Sequence, residues 1–426
     1  MFLFKKLALL TILLVFSSTA SAEEASGLTL EVALGIAVQN NPGLAEMRAR
    51  SDAMAAIPSQ VGTLPDPMIS FNALNFPVDT FDIDQENMTQ LQTGLSQMIP
   101  FPGKLALREE GAEHEAEAAN HNVTETRWFL LRDVKKTWWT IFYLDHALEI
   151  ISANQDLLRQ FVQIAQTKYQ VGEGLQQDVL LAQLELSKLL DNKLSLQAAR
   201  DRVRAQLNAL LDRSAEQQIN IPAMVLEQLP KLRAEAELFQ YAEDYRALLA
   251  SQRESINAAQ SRLDLAKKDF YPDFNVGAFY SVRDDMPSGP DRSDFLSLRL
   301  SMNLPIFTDT KQQKAVDQRN KELLQRKFNL RDKWNRVRAE ISTAYSYYQK
   351  SSQQVELFKS GIIPQARQTV ASMLAGYQVD KVDFLNLIRS QITLYNYETQ
   401  YWKALTEANQ ALAELTAVVG KEEIYE

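Results

Sequence analysis

The chain has 426 residues, with 45 Lys and Arg against 54 Asp and Glu, a formal net charge of −9, and no cysteine. An acidic chain is a poor partner for nucleic acid, and without cysteine no disulfide can hold an exported fold together. Past the N-terminus no segment has the roughly 18 consecutive apolar residues of a membrane-spanning helix, so entry into a bilayer requires β-strands.

At the N-terminus, Lys5 and Lys6 precede an apolar run from Leu7 to Phe16 and the small residues Ala20-Ser21-Ala22, the layout of a secretory signal peptide cleaved after Ala22. The apolar run is shorter than the about 20 residues that cross a bilayer. Cleavage deletes two lysines and no acid, taking the charge from −9 to −11. With no cysteine there is also no acceptor for an N-terminal lipid. The expected order is a signal peptide at 1–22, a first structural repeat at 23–213, a weakly patterned linker at 214–236 containing Pro222 and Pro230, and a second repeat at 237–426.

Helix breakers are unevenly spread: no proline lies between Pro102 and Pro222, between Pro305 and Pro364, or after Pro364, and 104–171 holds Gly111 as its one glycine before Gly172. As one helix, that stretch would run about 100 Å at 1.5 Å per residue. Leu189, Leu196, Val203 and Leu210 recur every seven residues, a seam for coiling against a neighbouring helix. Long helical hairpins are the simplest reading.

Four short segments alternate with period two instead. In 295–304, Leu296, Leu298, Leu300, Met302 and Leu304 oppose Ser297, Arg299, Ser301 and Asn303. Its expected partner is 274–283, with Phe274, Val276, Ala278, Tyr280 and Val282 on one side. A weaker pair, 68–76 and 90–99, flanks a loop carrying Asp79, Asp82, Asp84 and Glu86. Each is about 10 residues long, enough for a tilted strand to cross a bilayer.

The two halves repeat. Leu95-Ser96, Ile99-Pro100 and Asp178 match Leu300-Ser301, Leu304-Pro305 and Asp383 at a constant offset of 205, Pro65-Asp66 matches Pro272-Asp273, and Tyr169-Gln170-Val171 matches Tyr377-Gln378-Val379. Four strands cannot close a barrel, since single-chain barrels begin at about 8 strands, and an open edge in lipid is costly, so chains must combine. Three copies supply twelve strands and a barrel wide enough for a passage.

Several segments together resemble the TolC-like outer-membrane efflux proteins: Leu28-Thr29-Leu30-Glu31-Val32-Ala33-Leu34 with Asn40-Asn41-Pro42, Leu64-Pro65-Asp66-Pro67, Ile99-Pro100-Phe101-Pro102-Gly103-Lys104, Tyr271-Pro272-Asp273-Phe274, Tyr169 with Gly172 and Asp178-Val179-Leu180, and Val382-Asp383-Phe384-Leu385. The resemblance covers essentially the whole mature chain. It implies an α+β membrane protein: long helical hairpins forming a periplasmic barrel, plus four β-strands per chain in a trimeric, twelve-stranded transmembrane β-barrel. It implies a homotrimer in outer-membrane lipid, docked to a periplasmic adaptor (membrane fusion) protein and an inner-membrane pump, acting as the exit duct of an efflux or type I secretion system. A periplasmic coiled-coil scaffold or a passive porin is the alternative.

The resemblance also places an acidic ring at the periplasmic mouth. Asp383 is the expected pore constriction, with Asp380 close by in the turn and Asn386 at a position where relatives often have a second acid. Asp178, with Tyr377 as its partner and Lys381 as the nearest base, is the expected link between the hairpins. Helix capping is the alternative role for both Asp178 and Asp383.

His114, His121 and His146 read as surface residues rather than zinc ligands, because histidines seven apart without cysteine make a poor site. The ten methionines are scattered, as packing residues are, and Trp128, Trp138 and Trp139 fit packing in the long helix. No nucleophile with a nearby base, phosphate loop or ligand cluster emerges, so no catalytic residue, cofactor or metal is expected.

Overall fold

The computed structural model describes residues 27–222, 228–286, 289 and 291–425. The expected signal peptide at 1–22, together with Pro287 and Pro290 in the second strand loop, lies outside the described residues. In chain order the elements are α1 (Leu30–Asn40), α2 (Pro42–Ala55), α3 (Ile57–Gly62), β1 (Met68–Leu74), β2 (Gln90–Ile99), α4 (Lys104–Gln170), α5 (Gln176–Leu210), α6 (Glu235–Tyr245), α7 (Ala247–Lys268), β3 (Phe274–Val282), β4 (Phe295–Met302), α8 (Gln312–Leu357), a π-helical turn (Phe358–Ile362), α9 (Ile363–Gln378) and α10 (Phe384–Val419).

Local chemistry sets the boundaries. The Thr29 hydroxyl accepts the Val32 N–H at 3.3 Å to cap α1, and Asn41 accepts the Leu44 N–H at 3.0 Å while donating to the Leu210 carbonyl at 3.0 Å. With Pro42 at the first position of α2, the Asn40-Asn41-Pro42 motif is a helix junction. α4 is a single helix of 67 residues. Pro364 lies inside a continuous helical segment, where the π-helical turn just before it accommodates a residue that has no N–H and crowds the carbonyl four positions back.

The chain forms two compact units: the residues up to Ala45 with Glu125–Arg246 and Val337–Glu426, and Glu46–Thr124 with Ala247–Arg336. Each unit therefore draws on both sequence halves.

In the first unit a core cluster joins Ile151, Leu158 and Phe161 of α4, Ala182 and Leu189 of α5, and Phe384, Leu387 and Ile388 of α10. Leu196 packs against this cluster half-buried, whereas further along α5 burial is complete at Leu207 and at the capping Leu211. One polar bridge runs inside this helical packing, from the Gln391 amide to Asn154 Oδ1 at 2.7 Å. Arg246, whose side chain is 1% exposed, donates to Glu125 at 2.7 Å and to the Ala417 carbonyl at 3.2 Å. Breaking a buried pair of this kind by removing one partner costs about 3–5 kcal/mol.

The second unit holds one antiparallel sheet of order β1-β2-β3-β4. β2 has the expected bounds, while β1, β3 and β4 stop one or two residues early. Asn75, with φ +54°, turns the chain out of β1, and the Asn303 side chain accepts the Asp273 N–H at 2.6 Å where a further ladder pair would begin.

Register puts Ile69, Phe71, Leu95, Val276, Tyr280, Leu296, Leu298 and Leu300 on one face, and all of these are exposed in the single chain. Ser70, Asn72, Gln92, Gly94, Gly277, Phe279, Ser281, Ser297 and Arg299 line the other face.

Candidate functional site

The α4–α5 and α9–α10 turns close in the same way. Glu173 N–H bonds the Lys168 carbonyl at 2.9 Å, and Lys381 N–H bonds the Gly376 carbonyl at 2.9 Å. Such six-to-one closures require a left-handed residue, which is Gly172 (φ +81°) in the first turn and Asp380 (φ +56°) in the second. A left-handed backbone costs a non-glycine residue about 1–2 kcal/mol, with Asp and Asn among the few that visit it. Gly376 admits the turn, because a Cβ there would meet the Val382 side chain at 2.5 Å.

Asp380 is also a cross-link. Its carboxylate pairs with the Lys168 ammonium of α4, which donates to the Tyr377 carbonyl at 3.2 Å and sits 4.8 Å from the centre of the Tyr377 ring. Tyr377 is buried against Phe384, with ring centres 5.1 Å apart.

Asp178 lies half-buried in the first turn of α5. Burial pushes its carboxyl above the ordinary Asp value, the Leu175 backbone opposes this, and the charge of Asp383 adds to it. Burial likewise raises the Tyr377 hydroxyl, reinforced by Asp178 and then Asp380. The Asp178 carboxyl thus feels the charge of Asp383, and the Tyr377 hydroxyl feels those of Asp178 and Asp380.

Asp383 is exposed at the N-cap position of α10, but its side chain makes no capping hydrogen bond. Asn386 and Lys381 are exposed as well. The base that bridges the hairpins is Lys168, a residue that sequence reasoning does not single out. Its place in the last turn of α4, one residue before Tyr169, is the one signal that points to it.

The Pro272-Asp273 and Ile99–Lys104 motifs meet at the base of the sheet. Asp273 accepts the Phe101 N–H at 2.8 Å and pairs with Lys104 at 2.9 Å, while Lys104 also pairs with Asp269 at 3.0 Å. Burial acts to raise the Asp273 carboxyl, but the Phe101 N–H and the Lys104 ammonium override it and hold it below the usual value. Phe101 and Tyr271 stack with centroids 4.5 Å apart.

On the polar face of the sheet the Gln92 amide donates to the Ser281 hydroxyl at 3.1 Å. Elsewhere, His114 contacts Glu254 at 2.7 Å, and His146 stacks on Trp402 with centroids 3.8 Å apart. Trp138 donates to the Leu28 carbonyl at 2.9 Å. Among the described residues no three His, Asp or Glu side chains are grouped to hold a metal ion.

A family model described as outer membrane efflux protein matches residues 33–213 and again 238–421. The chain is 21% identical over 409 residues to the cobalt-zinc-cadmium resistance protein CzcC of Cupriavidus metallidurans, covering 94% of this chain and 91% of that one. Its fold is similar to the outer-membrane channel OprN (TM-score 0.79, 16% identity, covering 92% of this chain and 89% of that one). It is also similar to the outer membrane protein VceC of Vibrio cholerae (TM-score 0.78, 17% identity, covering 92% and 97%). With the strand faces, the paired hairpins and a match over most of its length, the chain belongs to the outer membrane efflux protein family.

Proposed function

We propose that three copies of this chain close a twelve-stranded barrel in the outer membrane, and that their helices form a periplasmic duct receiving cargo from an adaptor and an inner-membrane pump, with no catalytic step of its own. The observation that carries this reading is the lipid-ready face of a sheet whose two edges are both open. Left unpaired in hydrocarbon, each edge backbone group would cost several kcal/mol.

The chain reads as a tandem duplication, 23–213 and 237–426, joined by the linker at 214–236, and this predicts how copies join. The β1–β2 hairpin sets Ser70 opposite Gly94, and the β3–β4 hairpin sets Gly277 opposite Arg299, the same register displaced by 207 and 205 residues. Applying those displacements to the β2–β3 pairing sets Ser301 of β4 opposite Ser70 of the next copy. Residues left bare in one copy are the counterparts of those stacked at the β2–β3 base: Ile306 corresponds to Phe101 and Leu64 to Tyr271, and they are 71% and 47% exposed.

Asp383 is read as the constriction, aided by Asp380 and with Asn386 a turn further along. Asp178, Tyr377 and Lys381 belong to the surrounding hairpin link. The likeness to CzcC makes cobalt, zinc and cadmium ions the first export substrates to test.

The test is oxidation of Ser70→Cys/Ser301→Cys, the only thiols in the chain. Paired strand residues lie about 4.5–5.5 Å apart at Cα, within disulfide reach. The pair should yield covalent trimers on non-reducing gels, and Ser70→Cys/Ser297→Cys should not. A monomer in membranes, or cross-linking only in the control, overturns the reading.

A further inference from the structure

The four strands contain a single residue charged at neutral pH, Arg299, at the middle of β4. A charge at bilayer depth is expensive unless it faces a watery interior, so an ionisable residue there marks function by default. Register puts Arg299 on the polar face, opposite Gly277, whose missing side chain leaves the neighbouring ring its space.

The surroundings of Arg299 are built for it. Phe279 lies on the polar face yet is only 5% exposed. It fits because both neighbouring positions under the ring are glycine: a Cβ on Gly94 would meet the ring at 2.1 Å, and one on Gly277 at 2.8 Å. The Arg299 guanidinium then sits over this ring, 4.3 Å from its centre. Stacking on an aromatic face holds the guanidinium while leaving its in-plane N–H donors free. No carboxylate among the described residues pairs with Arg299 in the way that Asp273 neutralises Lys104 or Glu125 neutralises Arg246.

We propose that Arg299, seated on Phe279 over Gly94 and Gly277, is an anion-attracting station in the barrel lumen, repeated three times around the passage and setting the charge preference of the membrane segment. Rings of arginine favour anions in pores, and lumen substitutions in barrels tune selectivity without loss of insertion. The station rests on the trimeric barrel proposed above. It opposes in sign the carboxylates at the helix tips, so the duct carries two separate charge filters.

The test measures local potential at a reporter thiol, which separates this station from any constriction elsewhere. Ser297→Cys places a thiol on the same face, two residues from Arg299. In membrane-embedded trimers of defined mass, its rates with an anionic and a cationic methanethiosulfonate reagent are compared, with Arg299 intact and with Arg299→Gln. A unit charge about 7 Å away in water-like surroundings favours the anionic reagent by about 5- to 10-fold in the rate ratio. That preference should vanish in Arg299→Gln and persist in Arg299→Lys. Phe279→Leu should reduce it by freeing the guanidinium to wander. A ratio unchanged by Arg299→Gln in intact trimers overturns the station and leaves the barrel standing. Failure to form trimers in the Ser297→Cys parent overturns the barrel reading and the station with it.

Discussion

Asp380 adopts a left-handed backbone conformation while its side chain pairs across to α4, which makes it the sharpest test of whether this link holds the hairpin tips together. Lys168 is 15% exposed and Asp380 65%, so the pair is largely open to water and contributes at most about 1 kcal/mol. The Lys168 contact with the Tyr377 ring adds about 0.5–1 kcal/mol. Together they hold each tip by roughly 1–2 kcal/mol, or about 5- to 30-fold in a closed-to-open ratio.

Asp380→Asn removes the charge and keeps a residue that tolerates the left-handed turn. In planar bilayers, purified Asp380→Asn and Lys168→Met channels should each conduct more than the parent. The double variant should add little, because both changes break one link. Asp380→Gly should open the channel equally with little change in thermal stability, since relief of the left-handed backbone, about 1–2 kcal/mol, offsets the lost pair. Conductance unchanged in both single variants, or full additivity in the double, would refute the idea that this pair holds the tips.

Three further outcomes are expected. Leu298→Arg should block outer-membrane assembly, because a charge on the lipid face near mid-bilayer costs about 2–4 kcal/mol, whereas Ser297→Arg on the opposite face should assemble; equal surface levels would mean that the assigned strand facing is wrong. Asp383→Asn should weaken cation preference and block by trivalent cations while leaving oligomers intact; if Asp178→Asn abolishes both and Asp383→Asn neither, the constriction lies elsewhere. The Asp178 carboxyl is raised above the ordinary 3.8, so the folded tip holds its proton more tightly than the unfolded chain does. The charged form therefore weakens the tip at neutral pH, and stability is gained as pH falls through the raised value towards 3.8. Protection factors around residues 376–384, taken relative to the intrinsic exchange rate at each pH, should rise on acidification and lose that rise in Asp178→Asn; an identical rise in that variant would remove Asp178 from the account.

Side-chain alternation along a strand is a local property, so the pattern in 295–304 is enough by itself to put Leu298 and Ser297 on opposite faces. The absence of proline is enough to predict α4, because helix continuity depends on each turn in succession. The duplication is legible for the same reason, since both halves carry their own turn and strand signals. Trp138 and Trp139 of the long helix, read as packing residues, are buried against Phe142.

Partner choice is not legible in the same way. Lys168 and Asp380 are 212 residues apart, and Asp383 and Lys381 are equally charged and closer to the expected site. Only the packing of α4 against α9 and α10 selects Lys168 and Asp380. Phe279 is a mismatch on a polar face in sequence, and two glycines from different strands make room for it in the fold. Pro364 is a helix breaker by its chemistry, yet a π-helical turn carries the chain past it within one helical segment. Periodicity and breakers act within one element and are written in its residues; cross-element contacts depend on which surfaces meet, and that is decided by tertiary packing.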